Sequence, residues 1–207
     1  DSYMFQSVGS ETIGCLSNII GVPLYRQPIL GTPNSTSLEY NYSHDDEIED
    51  LFKLLSKIKK EHPSITAVSC GAIASIYQKN RFENVCDRLS LFSLCPLWGM
   101  DETVILNEMI SWGLESVIIK TACAGLKSEF LMHPINADFY RKIIELNHKY
   151  NVNVCGEGGE YESLVLYCPG LYKKRIKILE SEALILVPDE LAPVQILSIH
   201  KIAFEDP

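Results

Sequence analysis

Apolar residues change their spacing along this chain, and that change constrains the fold more than any composition figure. Ile48, Leu51, Phe52, Leu55 and Ile58 recur at helical spacing, and a short apolar run from Ile65 to Cys70 follows and stops at Gly71. Helical spacing returns from about Ile76 to Leu89. A run at Leu94 to Trp98, a helix from Asp101 to Trp112 and a run at Ser116 to Lys120 come next. Strands alternating with helices predict an α/β chain with a parallel sheet covered by helices on both faces. Ligands of such sheets bind beyond the carboxyl ends of the strands, where Gly71 and Lys120 are expected. Upstream, a helix is predicted over Ser2 to Ile20 and a strand over Leu24 to Leu30. A polar loop from Gly31 to Ser43 is then expected to end with Ser43 capping the next helix.

The last third has a different pattern. A helix over Asn136 to Tyr150 is followed by strand-like runs at Tyr161 to Cys168, Arg175 to Leu179, Ala183 to Val187 and Val194 to Phe204, separated by Pro and charged turns. This predicts a smaller C-terminal α+β domain over 126–207 after an α/β domain over 1–125. With 207 residues and 46% apolar composition, both have material for a core.

Between the helix and the first of these late strands, Gly156-Glu157-Gly158-Gly159-Glu160-Tyr161-Glu162-Ser163-Leu164 packs three glycines and three carboxylates into nine residues. Glycine admits positive φ and close backbone approach to a ligand. Crowded acids repel one another unless a metal, a cationic group or a proton joins them. The segment reads as a site rather than as a solvated connection. A net charge of -9 disfavours direct, sequence-independent nucleic-acid binding, which needs clustered Lys and Arg. Seven cysteines without a C-x-x-C pair indicate a reducing compartment, and five histidines without close cysteines give no metal site. No apolar stretch reaches the roughly 18 residues of a membrane span, so a cytoplasmic protein is expected, with no membrane partner.

Four segments together carry a resemblance. They are Asp1-Ser2-Tyr3-Met4-Phe5-Gln6-Ser7-Val8-Gly9; Gly71-Ala72-Ile73 with Tyr77-Gln78 and Arg81-Phe82-Glu83-Asn84-Val85-Cys86; Pro96-Leu97-Trp98; and the Gly156 to Leu164 loop. The chain resembles the diphthine-ammonia ligase (diphthamide synthetase) family of the adenine-nucleotide alpha-hydrolase, or PP-loop ATPase, group. The resemblance implies a Rossmann-like nucleotide-binding domain over 1–125 and a substrate-binding domain over 126–207. Its implied activity is ATP-dependent amidation of diphthine on translation elongation factor two with ammonium, through an acyl-adenylate, giving diphthamide, AMP and pyrophosphate. ATP and Mg2+ are the implied cofactors. Family members carry a phosphate loop, S-G-G-K-D-S, after the first strand. Neither that strand nor that loop is found in this sequence, and residues upstream of Asp1 are expected to supply them. Ile76 and Tyr167 stand where relatives usually have Asp, so neither is assigned to the site.

Carried over residue by residue, the resemblance implies nucleotide binding by Gly71, Ala72, Ile73, Gln78 and Arg81; Lys120, at the end of the Ile118-Ile119 run, is a further nucleotide-binding candidate as a point charge for phosphate. The resemblance implies substrate binding by Tyr77, Trp98, Gly156, Gly158, Gly159 and Tyr161. Trp98 either offers an aromatic face to the trimethylammonium of diphthine or fills a core. Glu157, Glu160 and Glu162 are the catalytic candidates, to attract the quaternary ammonium, bind ammonium or hold magnesium. A non-catalytic module that binds the elongation factor, and another PP-loop ATP pyrophosphatase acting on tRNA or a small carboxylate, are the alternative functions.

Overall fold

Short polar side chains decide where the helices begin and where the N-terminal segment avoids them. The computed structural model describes residues 2–207, so Asp1 of the first family-like segment lies outside the described residues. The helix predicted over Ser2 to Ile20 is reduced to a 3-10 turn, Ile13–Cys15, and a five-residue helix α1 (Leu16–Ile20). Ser2 Oγ accepts the N–H groups of Met4 and Phe5, and Gly9 turns the chain at φ 81°, so the preceding residues make local turns instead. The strand predicted over Leu24 to Leu30 does not form either. The N–H groups of Leu30 and Gly31 go to Asp50 Oδ2, at 2.7 and 2.9 Å, rather than to a neighbouring strand.

Helix α2 (Glu47–Glu61) is capped by Asp46, not Ser43: Asp46 Oδ1 accepts Ile48 N–H at 3.0 Å. Strand β1 (Ala67–Ser69) leads to α3 (Ile76–Arg88), which is capped by Ser75, and then to β2 (Phe92–Leu94). Strands β1 and β2 pair in parallel, Ala67 with Phe92 and Ser69 with Leu94. Ile48 and Leu55 of α2 pack with Val85 of α3, while Phe82, Cys86 and Leu91 form a second cluster. These elements belong to one compact unit, the residues up to Ser7 together with Tyr25–Met100.

The other unit joins Val8–Leu24 to Asp101–Pro207, so residues 101–125 group with the late strands. It contains α4 (Glu102–Ser111), β3 (Glu115–Thr121), α5 (Ala137–Tyr150), β4 (Tyr161–Tyr167), β5 (Arg175–Val187) and β6 (Val194–Glu205). The sheet order is β4-β3-β6-β5, and β3 is antiparallel to both of its neighbours. The run ending at Lys120 therefore does not extend the parallel sheet. Burial on both faces explains its unbroken apolar stretch: Ile118 packs with Phe139 and Ile143 of α5, whereas Val117 and Ile119 pack with Leu164, Leu197 and Ile199. The two strands expected at 175–179 and 183–187 are one strand, because register shifts around Glu180 let the polar Glu180-Ser181-Glu182 stretch stay paired with β6. Among the described residues, no helix is long and apolar enough to cross a membrane.

Candidate active site

Asn153 organises the glycine-acid loop. Its Oδ1 accepts the N–H groups of Cys155 and Glu157, both at 3.0 Å, and its Nδ2 donates to Glu102 Oε1 at 2.7 Å. Its own N–H donates to Glu160 Oε1 at 3.0 Å, which fixes one oxygen of that carboxylate. Gly156 and Gly159 take φ of 74° and 84°, conformations that favour glycine. A Cβ on Gly156 would also lie 2.7 Å from the Tyr161 carbonyl oxygen. Tyr161 is buried, and its hydroxyl donates to Val154 O at 2.8 Å. Burial, followed by the nearby Cys155 and Glu160 charges, raises its pKa far above the ordinary phenol range, so it remains a donor. The Cys155 thiol is pushed up to about 12 by burial and then by the charges of Glu102, Glu157 and Asp101. Such a thiol stays protonated and is no nucleophile.

Beside the loop, Lys120 on β3 pairs with Glu162 on β4 at 2.7 Å, with both side chains mostly buried. A register shift between Ile118 and Lys120 creates this pair. Ile118 lies opposite Ser163, so regular pairing would have set Lys120 against Tyr161; the bulge sets it against Glu162. The next residue, Thr121, is fully buried and lies in register with Tyr161 on one side and Gln195 of β6 on the other. The Ala122 N–H donates to Glu160 O at 2.8 Å, tying the loop to the end of β3.

In this neighbourhood Glu160 Oε2, Glu162 Oε2, Thr121 Oγ1 and Gln195 Oε1 are all buried without a hydrogen-bond partner. A buried acceptor without a donor costs about 1–3 kcal/mol. Thr121 is in register with Tyr161, whose side chain packs toward α5, whereas Glu162, the next residue of β4, projects to the opposite face of the sheet. The acids do not build a metal cage: among the described residues, no three His, Cys, Asp or Glu side chains are grouped to hold a metal ion. The residues present therefore do not fit a resident Mg2+ in the loop.

The other candidates lie in the first unit. Gly71, Ala72 and Ile73 follow β1, with Gly71 exposed and Ala72 and Ile73 buried, and Ile73 O accepts Gly99 N–H at 2.8 Å. Gln78 lies in the first turn of α3, and its Nε2 is 3.4 Å from Met4 O. Arg81, expected at a phosphate or carboxylate, is 0% exposed. It donates to Ser35 O, Ser37 O and Tyr77 O, and its guanidinium lies 3.4 Å from the Tyr77 ring centroid. The geometry makes Arg81 a clamp on the 35–37 loop. Trp98 is half-buried and already receives Lys79 Nζ at 5.1 Å from its ring centroid.

Lys120, Gly156, Glu157, Gly158, Gly159, Glu160, Tyr161 and Glu162 thus share the second unit. Gly71, Ala72, Ile73, Tyr77, Gln78, Arg81 and Trp98 share the first. Sequence reasoning missed Asn153, Glu102, Thr121 and Gln195. A turn-forming Asn three residues before the first glycine was a usable signal. Nothing in the sequence reveals Thr121 or Gln195, whose roles arise from strand register.

Comparison with known proteins assigns the class. The diphthamide synthase N-terminal domain model matches residues 1–93 and the diphthamide synthase C-terminal domain model matches 101–187. A zebrafish (Danio rerio) protein named diphthine–ammonia ligase is 43% identical over 206 residues, covering 100% of this chain and 80% of its own length. The mouse (Mus musculus) protein of that name is 42% identical, with 76% of its length covered. A fission yeast (Schizosaccharomyces pombe) relative of the same name is 44% identical over 182 residues, or 88% of this chain and 30% of its own length. The chain belongs to the diphthamide synthase family.

Proposed function

We propose that this protein is an ATP-dependent ligase that joins ammonia to the carboxylate of diphthine on translation elongation factor two. A carboxylate is a poor acyl donor because oxide would have to leave. Its oxygen therefore attacks the α-phosphorus of ATP, pyrophosphate departs, and the acyl-adenylate carries AMP as a competent leaving group. Ammonia then attacks the acyl carbon through its lone pair and AMP leaves, forming the amide. Ammonium must give up a proton before that lone pair exists, so it needs acceptors positioned close to it.

The partnerless buried oxygens of Glu160 and Glu162, two acids of the glycine-acid loop, carry this reading. Ammonium offers N–H donors to such oxygens, whereas the trimethylammonium of diphthine offers none, so these two acceptors favour ammonium. Within the loop, Glu160 and Glu162 are the acids with a partnerless buried oxygen. Asn153 and Lys120 hold the other oxygen of each. Lys120 then positions Glu162 instead of binding a phosphate, and Glu157 contributes negative charge beside Cys155. Gly71, Ala72 and Ile73 are assigned to the nucleotide through their backbone. Mg2+ accompanies the nucleotide's phosphates, in keeping with its habit of binding few protein ligands. The reaction is placed in the cytoplasm, where the seven cysteines, all free in this structure, remain reduced.

The test is the full-length protein with ATP, ammonium and diphthine-bearing elongation factor two, following AMP release and the mass of the modified peptide. Glu160→Gln and Glu162→Gln are expected to raise the KM for ammonium and lower kcat by about 10²–10³-fold, the range for losing one group that stabilises developing charge. The KM for ATP should stay near the unmodified value. Unchanged ammonium dependence in both variants would remove the loop from the reaction.

A further inference from the structure

Both strands of the parallel sheet are followed by cysteines. The register pairs Ser69 with Leu94, so the next step of the same ladder sets Cys70 beside Cys95. The ladder does continue, because Cys70 N–H donates to Leu94 O at 2.9 Å. Neighbouring strands run about 4.8 Å apart. That spacing lies within the roughly 4.4–6.8 Å between Cα atoms that a disulfide bridges. In-register neighbours project to the same face, and both cysteines pack on the cluster of Phe82, Cys86 and Leu91. The Cys70 thiol lies close enough to perturb that of Cys95, and both are half-buried and free. The ligation chemistry uses neither.

We infer that Cys70 and Cys95 form a modification site, a dithiol that closes reversibly into an intramolecular disulfide under hydrogen peroxide. One thiolate attacks a peroxide oxygen; the O–O bond breaks, hydroxide leaves and a sulfenic acid forms. The second thiolate attacks that sulfur, the S–S bond forms and hydroxide leaves. With the two thiol protons counted, one peroxide becomes two waters as the two thiols lose two electrons. Thiol exchange with a small dithiol reverses the bond. Burial, followed by the charge and hydrogen bond of Cys70, raises the Cys95 pKa and keeps the thiolate fraction small, so closure answers sustained oxidation.

The bond also bears on the neighbouring turn. Ala72 N–H now rests on Cys70 Sγ at 3.4 Å, and Ile73 O is tied to Gly99 N–H. Turning Cys70 Sγ toward Cys95 removes the Ala72 contact and re-aims the turn. This consequence rests on the nucleotide reading of Gly71 to Ile73, and it is weaker ATP binding in the closed form.

The test treats the full-length protein with hydrogen peroxide, alkylates the remaining thiols and digests with trypsin. Cleavage after Lys60, Lys79, Arg81 and Arg88 puts Cys70, Cys86 and Cys95 on three separate peptides. The expected product joins peptide 61–79 to the peptide beginning at Leu89 within one molecule. It is released by dithiothreitol and absent in Cys70→Ser and Cys95→Ser. If either variant fails to fold, the peptide map of the unmodified protein still decides. Equilibrium dialysis of ATP is run first on reduced protein, where failure to bind would count against the nucleotide reading and leave the map to judge the disulfide. Peroxide should then weaken ATP binding severalfold, and Cys95→Ser should be insensitive. Free Cys70 and Cys95 after peroxide, a bond to Cys86 or between molecules, or closed protein binding ATP as tightly as reduced protein would overturn the inference.

Discussion

A methyl group added to either of two glycines in one loop should have opposite consequences. Alanine at Gly156 must adopt φ 74° with its Cβ 2.7 Å from the Tyr161 backbone oxygen, and neither atom can give way. Left-handed strain alone costs about 1–2 kcal/mol, so Gly156→Ala should lower the urea midpoint clearly. The nearest atoms to an alanine Cβ at Gly158 are those of the Glu160 carboxylate, with its oxygens at 2.8 and 2.9 Å, the end of a flexible side chain. Gly158→Ala should keep its midpoint and raise the KM for ammonium. Equal destabilisation by both would contradict this account of the loop. Asn153 separates stability from charge in a similar way. Asn153→Ala strands the N–H groups of Cys155 and Glu157 and one oxygen of Glu102, at about 1–3 kcal/mol for each buried group left unpaired. Asn153→Asp keeps the acceptor but sets a carboxylate against Glu102, which raises the folded pKa of that pair. Its stability should therefore recover as pH falls through that raised value, whereas Asn153→Ala gains nothing from the added proton. Urea titrations at several pH values compare the two.

Helix α2 shows how an element can hold a segment that has no regular structure. Its first turn buries Asp46, Glu47, Glu49 and Asp50. Asp46 Oδ2 accepts Asn34 N–H, Asp50 accepts Leu30 and Gly31 N–H, and Glu49 accepts Tyr40 OH and both Arg88 guanidinium nitrogens. Burial alone would raise the Glu49 and Asp50 pKa values. For Glu49 the Arg88 and Tyr40 hydrogen bonds outweigh it, and for Asp50 Lys53 with the Gly31 and Leu30 N–H groups does, so both end lowered. A lowered folded pKa gives stability that is complete above the unfolded carboxylate range, about pH 4, and is lost as pH falls through the folded values. Glu49→Gln should cost about 2 kcal/mol at neutral pH and flatten the acid limb of the stability curve. An acid limb identical to the unmodified protein's would show that Arg88 contributes no linkage. Hydrogen exchange at residues 30–34 should accelerate in Asp50→Ala. The sequence revealed α2 through its apolar period and showed the acids at its positive end. That Asp50 would take the N–H groups of Leu30 and Gly31, and so abolish the strand predicted there, depends on a contact across about twenty residues that no local pattern encodes. The same holds at the site: glycines and acids were legible at 156–162, but the β3 bulge that aims Lys120 at Glu162 exists only once strands pair.

Across the whole molecule, the chain passes from one unit to the other and back before it finishes. Val8–Leu24 belongs with residues 101–207, although the rest of the first half does not. Hydrogen bonds and close packing attach it. Glu11 Oε1 accepts Ile199 N–H at 3.1 Å, Ile19 O accepts Lys173 N–H at 2.8 Å, and Gly9 is so close to Ile119 that a Cβ would lie 2.8 Å from its Cδ1. Val8 also packs against the cluster of Val117, Ile119, Leu164 and Leu197. The family models divide the chain in order, at 1–93 and 101–187, but the compact units do not follow that division. Cutting after Met100 therefore removes a strip of the second unit's own surface. Residues 101–207 expressed alone should have a lower urea midpoint than the same fragment with a synthetic 8–24 peptide added. Loss of two hydrogen bonds and the Val8 and Ile19 burial corresponds to about 3–5 kcal/mol by ordinary values. The gain should saturate with peptide concentration, as linkage requires when a partner binds only the folded state. A peptide carrying Glu11→Ala should rescue less, because Ile199 N–H stays unpaired. If 101–207 is as stable alone as with peptide, the 8–24 segment is a passenger and the chain's return path has no energetic meaning.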